Sequence, residues 1–268
     1  MSLSVQASIA KPLVIKIGGA ILDHDPEKAS ALKALLVALS TLENQQIVLV
    51  HGGGSSVDKQ LTQAGFKTEK KDGKRITPTE QMPIIAGTLA GFVNKTIVGV
   101  ANELKLSAVG LSLGDGDMVS CTLADATLGN VGDPSPKNSA LLTTLLANNF
   151  FPIVSSIGAL DNGELVNVNA DDAAVAICQL LEAELLLLTD VPGVKGAEGE
   201  WLSELGSKQA AQLIEQGVIA GGMTAKVNAA LLAANQLRRS IAVASWKSPE
   251  QIVNLIKGDN VGTRILAD

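Results

Sequence analysis

The sequence predicts an α/β protein with an open, mostly parallel sheet sandwiched between two layers of helices. Short apolar segments that are typical of buried parallel strands recur along the chain, at residues 13–17, 47–50, 108–111, 153–155, 185–189 and 241–244. Helical patterns lie between most of them, at 26–42, 139–146 and 172–182. Apolar strands that alternate with helices favour a parallel sheet with both faces covered.

The composition is that of a folded protein. The chain has 268 residues, of which 46% are apolar and 18% are charged, and this excludes a disordered protein. Aromatic residues make up only 2%, so the core must consist of Leu, Val, Ile and Ala. The net charge of -6 gives no basis for binding nucleic acid or an anionic membrane. Because no repeat or Pro/Ser-rich linker divides the chain, we expect one domain over 1–268.

Other features of the sequence exclude a secreted, membrane or zinc protein. The first ten residues lack the basic and apolar regions of a signal peptide. The uncharged window 138–160 contains Asn148, Asn149 and Pro152, so it predicts a helix, a turn and a strand. Cys121 and Cys178 lie far apart, which is typical of reduced, packed thiols. We therefore expect a cytoplasmic protein.

Two segments interrupt the alternation and predict β-hairpins. Residues 66–76 carry five basic side chains around an Asp-Gly turn signal, and an Asp-Asn-Gly turn signal lies at 161–163. A hairpin beside a sheet can form a lid. After the first hairpin, Thr77 is predicted to cap a helix with Pro78 at its first position and Glu80 at its third.

The first predicted strand carries a lysine and ends in two glycines. Lys16 is costly to bury in an apolar strand unless an anion neutralises it. Gly18 and Gly19 permit a tight turn or a close approach to a ligand. Lys16 is either an edge-strand lysine that reaches solvent or the counter-ion of a phosphate or carboxylate. The second role fits the carboxyl end of a central strand, where ligands bind in open α/β sheets.

Three glycines at 52–54 follow the second strand and lead into a helix. Successive backbone N–H groups at a helix N-terminus favour an anion, although a purely structural turn is the alternative. The segment lacks the G-K-[ST] of a Walker A motif. The Gly-Asp-Gly at 114–116 does not complete a dinucleotide fingerprint, since residue 119 is valine. We interpret His51 as a hydrogen-bonded turn residue rather than a base.

A polar segment precedes the helix at 172–182. Asn169 and Asp172 fit helix capping, which leaves Asn167 and Asp171 unexplained. A carboxylate at Asp171 would hold the ammonium groups of site lysines in place.

Two C-terminal segments have features of a nucleotide site. The apolar strand at 185–189 runs into a polar turn with Pro and Gly, which suits a base or ribose. The Gly-Gly at 221–222 begins a helix that carries Lys226 in its first turns. The helix dipole disfavours a cation there unless a polyphosphate is bound. Taken alone, the polar turn equally fits the ordinary end of a strand, and Lys226 equally fits a lysine that faces solvent.

Six motifs, taken in order, resemble the amino-acid kinase family over nearly the whole chain. They are V-I-K-I-G-G, V-H-G-G-G, K-D-G-K-R-I-T-P, V-N-V-N-A-D, L-T-D-V-P-G-V and G-G-M-x-x-K-V-N-A-A. The arginine-containing hairpin and the V-N-V-N-A-D segment are most similar to the short bacterial branch that acts on N-acetyl-L-glutamate.

This resemblance implies an α/β/α fold with a hairpin lid. It also implies transfer of the γ-phosphoryl group of ATP to the side-chain carboxylate of N-acetyl-L-glutamate, in arginine biosynthesis. The lobe 11–182 would bind the acyl amino acid and the lobe 183–268 would bind ATP, with Mg²⁺ carried by the nucleotide rather than by a protein metal site. A glutamate carboxylate, with a pKa near ~4.3, is already an anionic nucleophile and needs no base.

The resemblance also assigns roles to residues. Lys16 and Lys226 would neutralise charge on the transferring group, and Asp171 would orient both. Substrate binding is assigned to Gly53, Gly54, Arg75 and Asn167, with Lys70 adding charge to the lid. Arg75 would pair with the substrate α-carboxylate. The implied nucleotide-binding residues are Gly18, Gly19, Asp190, Val191, Pro192, Gly193, Val194, Lys195, Val218, Ile219, Ala220, Gly222 and Met223.

The segment before the first predicted strand is shorter than in the arginine-inhibited, hexameric members of the family, which carry an additional N-terminal helix. We therefore expect a homodimer without strong arginine feedback. The alternative functions are a kinase of the same fold with another acceptor, and a non-catalytic nucleotide or amino-acid sensor. The missing fingerprint disfavours a nicotinamide oxidoreductase.

Overall fold

The computed structural model describes residues 11–22, 26–42, 44–71 and 73–268. Eight described strands form the main sheet: β1 (Leu13–Ile17), β2 (Ile47–His51), β5 (Ala108–Ser112), β8 (Phe151–Ser155), β11 (Glu184–Thr189), β12 (Glu204–Leu205), β13 (Ile241–Ser245) and β14 (Thr263–Ile265). Their order is β12-β14-β13-β11-β1-β2-β8-β5, and only the β13–β14 pair is antiparallel among them. The predicted open, mostly parallel sheet and its six predicted strands are confirmed.

Helices cover both faces of this sheet. They are α1 (Pro26–Ser40), α4 (Asn94–Glu103), α5 (Ala140–Ala147), α6 (Ala170–Leu181), α7 (Ser207–Glu215), α8 (Gly222–Leu237) and α9 (Pro249–Ile256). Two further helices, α2 (Gly54–Gln63) and α3 (Met82–Ala86), pack against each other in a separate apolar cluster. Successive strand residues point to opposite faces. Val14 therefore packs with α5, α6 and α8, whereas Ile15 packs with α1, α4 and α9. The predicted α/β/α arrangement is confirmed.

A smaller sheet and a hairpin lie beside the main sheet. The smaller sheet contains β6 (Val119–Leu123), β7 (Val131–Pro136), β9 (Ile157–Ala159) and β10 (Leu165–Val168), and the hairpin pairs β3 (Lys70–Lys71) with β4 (Lys74–Arg75). Both predicted hairpins are present, the second as β9 and β10. Asp72, in the predicted turn of the first hairpin, lies outside the described residues. The sequence does not predict β6 and β7, because prolines interrupt β7.

The helix that the sequence predicts after Thr77 begins later than expected. Thr77 accepts a backbone hydrogen bond from Asn130 at 2.7 Å and forms a β-bridge with Gly129. These contacts hold Thr77 in an extended conformation, so it does not cap the helix. A 3₁₀ turn begins at Thr79, and the helical run continues through α3, a π-helical segment (Gly87–Val93) and α4.

This helical run, Thr79–Glu103, is long and apolar enough to cross a membrane by length and composition alone, with a mean hydropathy of 1.6. Ile85, Val93 and Ile97 of this run are buried inside the protein. The run packs on β8 and β5 of the main sheet. Its apolar side chains therefore contribute to the core.

We predict that Gly129→Ala destabilises the protein much more than Gly163→Ala. Both glycines have positive φ, at 71° and 85°. A Cβ atom on Gly129 would lie 2.4 Å from the carbonyl oxygen of Thr77, whereas Gly163 has nothing within 4 Å. We expect losses of about 3 kcal/mol and about 1 kcal/mol, respectively, in the free energy of unfolding.

Urea denaturation of the two variants measures this difference. Equal losses would show that the Thr77–Gly129 bridge does not constrain this part of the fold.

Candidate active site

Two clefts meet at the carboxyl ends of the central strands. Strand β1 pairs with β11 on one side and with β2 on the other, so the site lies where the sheet order reverses. A cleft of about 300 Å³ lies over β1, β11 and α8, and another of about 220 Å³ lies over β1, β2 and the β3–β4 hairpin. Lys16, Gly18, Gly19 and Asp171 line both clefts and form their junction.

Lys16 is paired with a carboxylate at this junction. Its side chain is 16% exposed, and its ammonium nitrogen lies 2.8 Å from Oδ1 of Asp171. Asp171 is fixed at the start of α6, where its backbone N–H donates to Oδ1 of Asn169 at 2.8 Å. Since β1 is a central strand, the edge-strand alternative for Lys16 is wrong.

The glycine turns after β1 and β2 contact each other. A Cβ atom on Gly19 would lie 3.4 Å from the backbone nitrogen of Gly54, and one on Gly52 would lie 3.2 Å from the Cβ of Ala170. These contacts bring the N-termini of α2 and α6 to the junction, since the helices begin at Gly54 and Ala170. The partial positive charge of two helix N-termini favours an anion there.

Lys226 enters the larger cleft from α8 and pairs with a different carboxylate. Its Nζ atom lies 2.5 Å from Oδ1 of Asp190, and this hydrogen bond lowers the pKa of Asp190. Of the two lysines, only Lys16 bonds Asp171 in this structure, so the role of Asp171 in orienting both stays a prediction. Asp171 lies beside β1 and bonds Lys16, whereas Asp190 follows β11 and faces α8.

The rest of the larger cleft is mainly apolar. Seven of the residues predicted to bind nucleotide line it: Gly18, Gly19, Asp190, Val191, Gly193, Val194 and Met223. The others do not: Pro192, Lys195, Val218, Ile219, Ala220 and Gly222. Ile219 is buried in the core, and Lys195 lies over the ring of Trp201, 5.0 Å from its centre. A nucleotide-binding role for these six residues stays a prediction.

Three residues that the sequence does not single out also line this cleft: Val243, Trp246 and Ile265. Trp246 follows β13 directly, at the same edge of the sheet as Asp190. Side chains that follow neighbouring parallel strands lie close together. The predicted strand at 241–244 could therefore have indicated that Trp246 lies beside Asp190 in this cleft.

Four cationic side chains line the smaller cleft, which we call the cationic cleft: Lys16, Lys70, Lys74 and Arg75. Each of them also forms an ion pair with a carboxylate, Lys16 with Asp171, Lys70 and Arg75 with Asp58, and Lys74 with Asp133 and Asp172. The predicted substrate residues Gly53, Gly54 and Asn167 also line the cationic cleft. The structure therefore brings all four predicted substrate residues into one cleft beside Lys16.

Asp58 of α2 holds Arg75. The Arg75 side chain is 7% exposed; its Nη1 donates to Oδ1 of Asp58 at 2.5 Å and its Nη2 donates to the carbonyl of Gly54 at 3.1 Å. Although burial opposes it, the hydrogen bond from Arg75 lowers the pKa of Asp58. The sequence analysis misses Asp58, although its position one turn after Gly54 places it on the same side of α2.

Lys74 of the hairpin lies between two carboxylates. Its Nζ is 3.4 Å from Oδ1 of Asp133 and 3.4 Å from Oδ2 of Asp172. Against the effect of burial, these carboxylates raise the pKa of Lys74, while burial raises the pKa of Asp172. The capping interpretation of Asp172 misses this ion pair, which ties the hairpin to α6.

His51 is buried beneath the second glycine turn and makes the hydrogen bond that the sequence analysis expects. Its Nδ1 lies 2.8 Å from the carbonyl oxygen of Gly52. Burial lowers the pKa of His51 from 6.5 to about 4, so the ring is neutral at pH 7.

Comparison with known proteins agrees with this arrangement. Residues 11–245 match the model of the amino acid kinase family. The chain belongs to the amino-acid kinase family. An acetylglutamate kinase of Colwellia psychrerythraea (strain 34H / ATCC BAA-681) is 69% identical over 257 residues, which cover 96% of this chain and 97% of that protein.

Solved structures share the amino-acid kinase fold. The protein smu.665 of Streptococcus mutans UA159 is 28% identical, with a TM-score of 0.72 over 96% of this chain and 98% of that one. Carbamate kinase of Giardia lamblia bound to AMP-PNP is 18% identical, with a TM-score of 0.67 over 96% of this chain and 99% of that one.

This amino-acid kinase has no group of three or more His, Cys, Asp or Glu side chains positioned to hold a metal ion within its described residues. Cys121 and Cys178 are free and buried, and burial raises the pKa of both thiols.

We predict that His51 makes the stability of this kinase depend on pH between 7 and 5. In this range the unfolded chain binds a proton at position 51, with a pKa near 6.5, while the folded protein does not. The free energy of unfolding therefore falls as the pH falls, by about 2 kcal/mol at pH 5 from this residue.

Denaturant titrations at several pH values, on the wild type and on His51→Asn, measure this contribution. The variant should lose less stability between pH 7 and 5 than the wild type. Parallel pH profiles would contradict a low native pKa for His51.

Proposed function

We propose that this chain transfers the γ-phosphoryl group of ATP to the side-chain carboxylate of N-acetyl-L-glutamate, as an acetylglutamate kinase in arginine biosynthesis. The observation that carries the proposal is the junction at Lys16 between an apolar cleft and a cationic cleft. The 69% identity to an acetylglutamate kinase over nearly the full length supports this choice of acceptor.

The cationic cleft suits a dicarboxylic acceptor. N-acetyl-L-glutamate carries two carboxylates, and one of them must lie at the junction to react. The guanidinium group of Arg75 would then receive the α-carboxylate at the far end, since a planar fork of N–H donors matches a carboxylate. Asn167 and the backbone amides of Gly53 and Gly54 would bind the polar groups of the acceptor that lie between its two carboxylates. The residues 11–182 thus supply the acceptor site.

The reaction needs charge neutralisation rather than a base. One carboxylate oxygen of the acceptor forms a bond to the γ-phosphorus, the bond from that phosphorus to the bridging oxygen of ADP breaks, and ADP leaves with the electron pair. The products are N-acetyl-L-glutamyl 5-phosphate and ADP. Lys16 and Lys226 would lie around the phosphoryl oxygens, where positioned cations stabilise the transition state. Asp171 and Asp190 would hold these ammonium groups in place.

The nucleotide would occupy the larger cleft, formed mostly by 183–268, with its base against the apolar wall and Trp246. Mg²⁺ would accompany the phosphates and neutralise part of their charge. Asp171 and Asp190 are the carboxylates in this cleft, and each is bonded to a lysine, so phosphate oxygens and water would supply most of the metal ligands. A homodimer stays a prediction from the resemblance, and a cytoplasmic location stays a prediction from the sequence features.

An ADP-release assay with a panel of acceptors tests the function. N-acetyl-L-glutamate should exceed glutamate, aspartate, carbamate and UMP by orders of magnitude in kcat/KM. A higher rate with another acceptor would assign a different kinase of the same fold. ATP binding without turnover of any acceptor would favour the alternative function, a non-catalytic nucleotide or amino-acid sensor.

We predict that Lys226→Ala lowers kcat by about 10²-fold or more, because it removes a charge that stabilises the transition state. Lys137→Ala serves as the control, since Lys137 also forms an ion pair, at 2.8 Å from Asp117, but lies outside both clefts. Steady-state kinetics with saturating ATP and acceptor measure kcat. Near-normal turnover by Lys226→Ala would remove this lysine from the reaction.

A further inference from the structure

We infer that His51 and Asn94 form a buried positioning pair, which orients the Gly52–Gly53 peptide so that its amide N–H serves the acceptor cleft. The inference rests on the proposed function, because it concerns how that cleft binds N-acetyl-L-glutamate. Both side chains are fully buried, so neither contacts the substrate. They act through the backbone of the glycine turn at 52–54.

The amide group of Asn94 has a fixed orientation. Its Oδ1 accepts a hydrogen bond from the Lys95 ammonium at 3.1 Å, and an ammonium can only donate. Its Nδ2 lies 2.9 Å from the carbonyl oxygen of Ile153, which can only accept. Both contacts place the NH₂ group on the side that faces the histidine.

The orientation of Asn94 determines the tautomer of His51. Nδ2 of Asn94 lies 3.0 Å from Nε2 of His51, and because the NH₂ group donates, Nε2 must be the unprotonated, accepting nitrogen. A neutral imidazole then carries its proton on Nδ1. Nδ1 lies 2.8 Å from the carbonyl oxygen of Gly52 and therefore donates to it.

The bond from His51 determines where the next amide points. The Gly52–Gly53 peptide is trans, so the N–H of Gly53 is directed opposite to the carbonyl of Gly52. Because that carbonyl points to the buried ring, the N–H of Gly53 points away from it. Gly52 and Gly53 both line the cationic cleft. A glycine peptide has little rotational preference of its own, so an external bond is needed to fix its direction.

The packing beneath the turn limits other arrangements. A Cβ atom on Gly53 would lie 2.9 Å from a methyl group of Leu89 and 3.3 Å from one of Val93. Both residues belong to the π-helical segment Gly87–Val93, which ends immediately before Asn94. The same segment therefore contacts the glycine turn and positions the asparagine. Single π-helical turns within helices are frequent at functional sites.

Two variants at position 51 test the hydrogen bonds of the two ring nitrogens, Nδ1 and Nε2, separately. Asn at position 51 can place an amide NH₂ near the position of Nδ1, which keeps the donor to Gly52 and loses the acceptor for Asn94. Gln can place its carbonyl oxygen near the position of Nε2, which keeps the acceptor and loses the donor. Each variant removes one hydrogen bond of a buried side chain, so their stabilities should be similar.

The acceptor KM distinguishes positioning from simple structural support. We expect the KM for N-acetyl-L-glutamate to be about tenfold or more higher in His51→Gln than in His51→Asn, because a displaced binding group is costly. The KM for ATP should differ by less than about twofold between them. Ile97→Val is the control for loss of stability alone, because Ile97 is buried and lies on α4, the helix that begins with Asn94.

Equal acceptor KM values in the two histidine variants would overturn the inference. Wild-type protein that does not phosphorylate N-acetyl-L-glutamate would instead overturn the proposed function. The two failures are therefore distinguishable.

A second measurement needs no variant of His51. The chain has only two histidines, at 24 and 51, so NMR of protein labelled with ¹⁵N-histidine reports both rings. The resonances that remain in His24→Gln belong to His51. They should show a neutral ring protonated on Nδ1 at pH 7. A ring protonated on Nε2 could not accept the hydrogen bond from Asn94 or donate one to Gly52 through Nδ1, and would contradict the inference.

Discussion

The ion pair between Lys16 and Asp171 is the interaction on which the rest of the site depends. Lys16 lies on the central strand of the sheet, where an ammonium group needs an anion nearby. Asp171 supplies that anion at 2.8 Å, from the first turn of α6. This bond places one cation at the point where two clefts of different chemistry meet. A phosphoryl group can therefore pass between the clefts without leaving the reach of Lys16.

The other cations of the site also have carboxylate partners: Lys226 with Asp190, Arg75 with Asp58, and Lys74 with Asp133 and Asp172. The exposed pair of Lys226 with Asp190 contributes little to stability. The effect of these pairs is to limit where each cation can lie before the substrates arrive. Preorganised charges of this kind stabilise a transition state without reorganisation during the reaction.

The sequence predicts six of the eight described strands of the main sheet, because their apolar segments are continuous, and misses the short strands β12 and β14. The resemblance carried by the six motifs points to Lys16, Arg75 and Lys226, and the cost of burying a lysine in an apolar strand indicates Lys16 independently. The sequence does not predict which carboxylate pairs with which cation, because Asp58 and Asp190 meet their partners only through the tertiary fold. Thr77 shows the same limit, since its local capping pattern is overridden by a bridge to Gly129, distant in sequence.

The most direct test of this account is a crystal structure with ADP, aluminium fluoride and N-acetyl-L-glutamate, which together mimic the transferring phosphoryl group. The account predicts that the ammonium groups of Lys16 and Lys226 both lie about 3 Å from the fluoride ligands, the distance of a charge-assisted hydrogen bond. A complex in which either ammonium group points away from the aluminium centre would contradict it.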